Sequence, residues 1–154
     1  MITIKKSIKA DTRTADGVVT KEQLQQDTLS HMKDVENGCK FLAELLVSAG
    51  ENHDFTKVAL LDEFYDNFST GAKEEGFKEM DWFKKHITKE RHHLNDCVPK
   101  DVNLIDILEM VVDCVMAGTA RRGEFYTFDV SDAVLRNALA NTQKLMLDNV
   151  KVED

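Results

Sequence analysis

The chain has 154 residues, of which 42% are hydrophobic and one is proline, and this is enough for one compact domain with its own core. Acidic residues outnumber basic residues 28 to 20, for a formal charge of −8, which argues against an extended nucleic acid as the main partner. Only seven glycines occur and helix-forming residues dominate, so the composition favours an all-α fold.

The cysteines favour a reducing compartment. Cys39, Cys97 and Cys114 are widely spaced and form no Cys-x-x-Cys pair, a pattern typical of reduced thiols. The N-terminal sequence lacks the apolar stretch of a signal peptide, and no segment reaches the roughly 18 apolar residues of a membrane span. We therefore expect a soluble, cytoplasmic protein with no membrane partner.

Residues 1–19 are predicted to form a short irregular or extended N-terminal arm. Ile2, Ile4 and Ile8 alternate weakly with polar residues, and residues 11–17 have the polar composition of a loop. We expect this arm to precede a separate helical domain.

Residues 20–150 carry the helix signals of a single domain. Thr20 and Gln23 form a capping-box pattern that predicts the start of a first helix, and Gly50 is a natural end for it. The apolar residues from Phe55 to Phe68 predict a helix that ends near Gly71, and further cap and breaker residues divide the range into about five to seven helices. The tail of residues 151–154 is expected to fray.

One long helix with an apolar run is predicted between Pro99 and Gly123. Asp101 or Asn103 can cap its start, and Gly123 suits its end. Arg121 and Arg122 place cations near the negative end of the helix dipole, a structural role that could explain both arginines.

The first helix is predicted to point His31 inward. His31 belongs to a stripe of residues at three-, four- and seven-residue steps: Leu24, Thr28, His31, Val35, Leu42 and Leu46. A single histidine on such a face is either a hydrogen-bonded core residue or a ligand, and both interpretations remain open for it.

His53 and Asp54 are adjacent, just after Gly50. A neutral nitrogen and an anionic oxygen on neighbouring residues can reach one divalent cation without spanning a loop. The pair therefore indicates a metal site, although a single His-Asp dipeptide also occurs on many protein surfaces.

Three more histidines follow in one amphipathic segment from Gly76 to His93. His86 and His93 are seven residues apart and share a face of an unbroken helix, whereas His92 joins them only if the helix bends or ends near Arg91. Either of His92 and His93 could complete a site with His86, or both could form a solvated helix end.

Asp113 lies within an apolar helical run. Burying a carboxylate there costs several kcal/mol or more unless it is paired or bound to metal. Asp106 and Glu109 are on roughly the same side and are either its partners or a polar edge of the helix. The polar edge is favoured for Asp106, and both interpretations stay open for Glu109.

All five histidines thus belong to one series, H…HD…H…HH, which closes with Asp113. This order resembles the HD-domain superfamily of metal-dependent phosphohydrolases over roughly residues 20–125. The family often has a lysine three residues after the His-Asp pair, as Lys57 is here. The stretches Trp82–His93 and Glu109–Asp113 also look like an uncharacterised branch found in bacteria and their phages.

The resemblance implies a single-domain, HD-like helical bundle with one or two divalent metal ions. It assigns the first ion to four ligands: His31, His53, Asp54 and Asp113. Asp54 could bridge to a second ion, held by His86 and one of His92 and His93. Manganese, iron, cobalt, nickel and zinc all suit these nitrogen and oxygen ligands.

The implied activity is hydrolysis of a nucleotide or another small phosphoester by metal-activated water. Asp54 and Lys57 would act in catalysis, and Lys57, with Arg121 or Arg122, would orient the phosphate. Glu109 would support the ligands. Two alternatives remain: an HD-type di-iron oxygenase, and a non-catalytic, metal-stabilised protein, such as a phage factor, that binds a nucleotide or protein partner.

Overall fold

The computed structural model describes residues 1–7, 17, 19–71 and 76–153. This part of the chain is mostly helical, as predicted, and it adds a small two-stranded parallel sheet that was not predicted. The HD-like arrangement of the helices stays a prediction. Most of the loop predicted for residues 11–17 lies outside the described residues.

Six α-helices lie in the described ranges, within the predicted five to seven. They are α1 Lys21–Glu51, α2 Phe55–Ala59, α3 Leu61–Gly71, α4 Asp81–Lys89, α5 Leu104–Arg122 and α6 Asp132–Asp148. A 3₁₀ helix, Phe77–Glu79, precedes α4, and the two strands are β1 Ile2–Lys5 and β2 Val150–Glu153.

The predicted caps are present because they depend on residues close together in sequence. The Gln23 amide N–H donates to Thr20 Oγ1 at 3.2 Å, and the Thr20 amide N–H donates to Gln23 Oε1 at 3.1 Å, which completes the capping box before α1. Asn103 caps α5, and Gly123 ends α5 with a left-handed φ of 77°.

The contacts divide the chain into two compact units, Met1–Leu45 with Gln143–Asp154, and Leu46–Thr142. In the first unit, β1 pairs in parallel with β2, with Ile2 opposite Val150, and Ile2 is buried. The prediction that the tail would fray is therefore wrong for residues 151–153. The predicted boundaries between an arm of residues 1–19 and a domain of residues 20–150 stay predictions.

The second unit contains a core between α5, α6 and the segment before α5. Its buried members are Leu94, Val102, Met110 and Ala138. Gly118 allows the chain after α5 to pack closely, since a Cβ at this position would come within 2.5 Å of the Tyr126 backbone nitrogen. This packing places the Tyr126 amide N–H 3.0 Å from the Cys114 carbonyl oxygen.

Two predicted helices are shorter than their apolar patterns suggested. The helix predicted from Phe55 to the region of Gly71 is interrupted at Leu60, which separates α2 from α3. The segment predicted as helical up to His93 ends its helix at Lys89. The break after Lys89 is important because it frees His92 and His93 from helical geometry.

No helix among the described residues has the length and apolar character required to cross a membrane.

Candidate metal centre

His53 and Asp54 lie in the tight turn between α1 and α2. Asp54 has φ 57° and ψ 22°, and in the described part of the chain no other non-glycine residue has a positive φ. Aspartate tolerates this left-handed conformation better than most residues do. Such backbone conformations concentrate at functional sites, so Asp54 is marked by its geometry as well as by its chemistry.

His86 lies on α4 and is held by aromatic packing. Its ring stacks on Trp82, with centroids 4.8 Å apart and an interplanar angle of 14°, and Trp82 in turn stacks on Phe64 at 4.3 Å. His86 and Trp82 are each 2% exposed. This stacking covers one face of the His86 ring and leaves the ring plane, in which both nitrogens make their polar contacts, open to partners.

His92 and His93 lie in the segment between α4 and α5, which Arg91 ties to α5. The Nε and Nη2 groups of Arg91 donate to the two carboxylate oxygens of Asp106 at 2.7 and 2.9 Å. The Asn103 amide N–H donates to the same carboxylate at 2.8 Å. The prediction that Asp106 forms a polar edge is wrong, because it is 3% exposed and serves as this anchor.

Helix α5 supplies Glu109 and Asp113, which are one helical turn apart. Asp113 Oδ1 lies 3.4 Å from His53 Nε2. Glu109 Oε1 lies 3.0 Å from Nδ1 of both His53 and His92. The helix thus brings one carboxylate to each side of the His53 ring.

Among the described residues, two groups of side chains have ligand atoms close enough to hold an ion, all within 4.8 Å of one another in each group. The first group is His53, His92 and Asp113, and the second group is Asp54, His86 and His93. Each group has two imidazoles and one carboxylate, a donor set that suits divalent transition metals. Each also has one buried and two half-buried members.

Asp54 lies between the groups. Its Oδ1 is 3.4 Å from His86 Nε2 and 3.8 Å from His92 Nε2, and its Oδ2 is 3.5 Å from His53 Nε2. One carboxylate is therefore close to imidazoles of both groups, as a bridging ligand between two ions would be.

Among the described residues of this centre, three buried polar atoms have no hydrogen-bond partner: Asp54 Oδ1 and both ring nitrogens of His92, although His92 Nδ1 lies 3.0 Å from Glu109 Oε1. Leaving such atoms buried and unpaired costs about 1–3 kcal/mol each. Cations held at the two groups would satisfy Asp54 Oδ1 and His92 Nε2, so the residues present fit metal ions.

In the first group, the imidazole and the neighbouring carboxylates shift the pKa values of one another. Hydrogen bonds to Asp113 and Glu109 raise the pKa of His53 to about 10. Burial raises the pKa of Glu109, but hydrogen bonds to His53 and His92 outweigh it and lower the value to about 2. Hydrogen bonding to His53 likewise lowers the pKa of Asp113. Without metal, His53 is thus an imidazolium held by two carboxylates.

In the second group, the pKa values of the histidines are lowered instead of raised. Burial lowers the pKa of His93 to about 4, with help from the nearby imidazoles of His92 and His86. Burial also lowers the pKa of His86, by more than the charge of Asp54 raises it. Both imidazoles are neutral at pH 7, as metal ligands must be. Their Nε2 atoms lie 2.7 Å apart.

We expect zinc binding to metal-free protein to release a proton from His53. This imidazole is protonated at pH 7, since its pKa is raised from 6.5 to about 10, and it must lose that proton to bind metal. Apparent zinc affinity at this group should therefore rise roughly tenfold per pH unit from about pH 7 to 10. Calorimetry in two buffers with different ionisation enthalpies counts the protons.

A control variant tests whether the released proton comes from His53. Asp129→Asn, which changes an exposed carboxylate on a loop, should release as many protons as wild type, whereas zinc binding without proton release would contradict the assignment of His53. In metal-free protein, the raised pKa stabilises the fold fully below about pH 6.5, and this contribution is lost as pH rises through about 10.

Lys57 lies on α2 beside the second group, and its Nζ forms an ion pair with Asp54 Oδ2. Its side chain is 32% exposed, so it is partly open to solvent. The spacing of three residues on a helix explains why the His-Asp-x-x-Lys pattern brings the cation next to the carboxylate.

Arg121 and Arg122 are exposed at the last turn of α5. Arg121 is eight residues beyond Asp113, or roughly 12 Å along the helix axis. The guanidinium of Arg122 lies over the Tyr126 ring, 5.6 Å from its centroid. These positions agree with the structural role of a helix end, and phosphate binding by either arginine stays a prediction.

His31 does not behave as its stripe predicted. It lies on α1 in the first compact unit, and its side chain is exposed, so the inward orientation is wrong. Leu24 and Val35 of the same stripe are 50% and 51% exposed. Neither of the two candidate groups found among the described residues contains His31, and the first of them has His92 beside His53 and Asp113. A role for His31 as a ligand stays a prediction.

A cavity of about 370 Å³ opens beside the first group. Three of its lining residues are the polar side chains His53, Glu109 and Asp113. The others are apolar or glycine: Leu46, Val47, Gly50, Val112 and Met116. None of these lining residues is a lysine or an arginine, so an apolar wall meets the candidate ligands His53 and Asp113.

A family model described as a family of unknown function, DUF5662, matches residues 20–151. This is most of the chain, and the protein therefore belongs to that family. No curated protein and no solved structure matches the chain. The family assignment adds no activity, and the HD-domain resemblance depends on short motifs: the order of the histidines and aspartates, Lys57, and the stretches Trp82–His93 and Glu109–Asp113.

Proposed function

We propose that this DUF5662 family member is a metal-dependent phosphohydrolase of the HD-domain type that acts on a nucleotide or another small phosphoester. The observation that carries the proposal is the pair of His-His-Asp groups, with Asp54 close to both and with Asp54 Oδ1 and the His92 ring nitrogens buried without hydrogen-bond partners. This is the ligand chemistry of a centre with two divalent ions.

Divalent ions bound here would supply a hydroxide near neutral pH and would neutralise charge on a phosphate oxygen. His53, His92 and Asp113 would hold one ion, and Asp54, His86 and His93 the other. Glu109 would accept hydrogen bonds from the far nitrogens of His53 and His92 and so fix both rings.

Lys57 would bind a phosphate oxygen. Its ammonium group is half-buried next to Asp54 and can exchange part of that ion pair for a substrate phosphate. A cation in this position would stabilise the negative charge that develops on the phosphoryl oxygens.

The cavity beside the first group would take the organic part of the substrate. Its wall is apolar, and its charged members apart from His53 are the carboxylates Glu109 and Asp113. These carboxylates would repel a polyphosphate chain. We therefore expect monophosphate esters with an uncharged organic group to be better substrates than nucleoside triphosphates.

The test is phosphate release from a panel of nucleoside mono-, di- and triphosphates and simple phosphomonoesters, with protein loaded with manganese, cobalt or iron. Wild type should release phosphate from at least one monophosphate, and Asp113→Asn should lower kcat/KM by roughly 10² or more because it removes a ligand of the first group. Asp129→Asn, an exposed carboxylate on a loop, is the matched control. No release by wild type with any metal would exclude the proposal.

The same ligand arrangement favours one other activity. Two adjacent ions with a shared carboxylate also suit oxygen chemistry at iron, so a di-iron oxygenase is the second candidate. Oxygen consumption by iron-loaded protein, without phosphate release, separates it from the first. Tight nucleotide binding with neither activity would indicate a metal-stabilised binding protein.

A further inference from the structure

We infer that Thr56 and Glu90 form a hydrogen-bond relay that fixes the tautomer of His86 and directs its free nitrogen into the second group. The inference rests on the metal centre of the proposed function and adds two positioning residues to it. Neither residue stands out in the sequence, and they are 34 positions apart.

The relay begins at the carboxylate of Glu90. Glu90 is 5% exposed, and its Oε1 accepts both the Thr56 amide N–H at 2.8 Å and the Thr56 hydroxyl at 2.5 Å. A carboxylate oxygen can only accept, so the hydroxyl proton of Thr56 points to Glu90. Thr56 is fully buried, with no solvent to offer the hydroxyl another partner.

The direction of that bond determines the next one. Thr56 Oγ1 lies 2.7 Å from His86 Nδ1, and since its own proton is committed to Glu90, it accepts here. His86 must then carry its proton on Nδ1, which leaves the lone pair of Nε2 free. This Nε2 lies 2.7 Å from His93 Nε2 and 3.4 Å from Asp54 Oδ1, within the second group.

Aromatic packing keeps the His86 ring in this orientation. The His86 ring is stacked on Trp82, which opposes a flip that would exchange the ring nitrogens. Partners on the far nitrogen of a metal-binding histidine typically contribute 10–100-fold to metal affinity. Thr56 and Glu90 thus do for the second group what Glu109 does for the first.

The experiment uses ¹⁵N-histidine-labelled protein and long-range ¹H–¹⁵N NMR, first metal-free and then titrated with Zn²⁺. Wild type and Thr56→Ser should show His86 protonated at Nδ1 and should bind two zinc ions. Thr56→Val should lose this tautomer preference and bind the second zinc roughly 10–100-fold more weakly, with the first little changed.

Thr142→Val is the control for loss of a buried hydroxyl. Thr142 is 7% exposed in the same compact unit, and its hydroxyl contacts the Leu104 amide and the Ala138 carbonyl but no histidine. It should lower stability and leave both the His86 signal and the zinc affinities unchanged.

Two results would overturn the inference. One is an Nε2-protonated His86 in metal-free wild type, and the other is a Thr56→Val protein that keeps the wild-type tautomer and both zinc affinities. Neither depends on catalysis. If the tautomer and affinities change as expected but the wild-type protein releases no phosphate, the relay stands and the proposed phosphohydrolase activity fails.

Discussion

Asp54→Asn is expected to remove the second metal ion and to lower phosphoesterase kcat/KM by roughly 10³-fold or more, because one carboxylate serves both groups. Its Oδ1 is close to His86 and His92, and its Oδ2 is close to His53. Asparagine has nearly the same shape, but it lacks the negative charge and presents an amide NH₂ on one side. Metal content by elemental analysis and kcat/KM measure the two effects.

Asparagine is chosen so that folding is preserved. The φ of 57° at this position suits asparagine nearly as well as aspartate, whereas alanine would add backbone strain. Asp54→Asn should therefore unfold at close to the wild-type temperature in the metal-free state. A variant that keeps two ions and full activity would show that Asp54 is not a ligand.

Arg91→Ala is expected to lower the free energy of unfolding by roughly 3 kcal/mol. Asp106 is buried, and it would keep a carboxylate without the guanidinium that donates to both its oxygens. We expect a loss of unfolding free energy at the lower end of the range for broken buried ion pairs, because the Arg91 side chain is itself 39% exposed. Urea unfolding of metal-free protein measures the change.

The same change should weaken metal binding, since Arg91 holds the segment with His92 and His93 against α5. The control is Lys85→Ala, which removes an exposed ion pair with Glu63 and should change neither stability nor metal content appreciably. An Arg91→Ala protein as stable as wild type would contradict the anchoring role. The double variant Arg91→Met with Asp106→Leu should be less destabilised than Arg91→Ala alone.

The features predicted correctly from the sequence are local ones. Examples are the capping box of Thr20 and Gln23, the Asn103 cap and the Gly123 helix end. In each case the contacting residues are within a few positions of one another, so the sequence pattern alone predicts the contact. The proximity of Lys57 to Asp54 has the same origin, a spacing of three residues.

The wrong predictions concern contacts between distant parts of the chain. The apolar stripe of α1 does not determine which residues cover it, and His31 is exposed. Asp106 has a polar pattern on its helix, yet it is buried because Arg91, fifteen residues earlier, pairs with it. Parallel pairing of β1 with β2 joins the two ends of the chain and leaves no signal in either segment alone.

The candidate metal centre combines features that the sequence predicts with contacts between distant residues that it does not predict. Every histidine and aspartate of the two groups is a candidate ligand in the sequence, and the resemblance already places Asp54 and His86 with one of His92 and His93. The first group differs from the set that the resemblance implies. The resemblance placed Asp113 with His31 and His53, whereas the structure brings it together with His53 and His92. That exchange depends on the end of α4 at Lys89, which allows His92 and His93 to turn toward different groups. Thr56 and Glu90 were missed because their role is visible only through their contacts.

The most direct measurement is an anomalous-scattering crystal structure of protein loaded with zinc. The predicted result is two peaks, one about 2.0–2.2 Å from ligand atoms of His53, His92 and Asp113, and one at the same distances from Asp54, His86 and His93. Zinc-soaked crystals with no peak at either group would contradict the metal centre, and the proposed hydrolysis would fall with it.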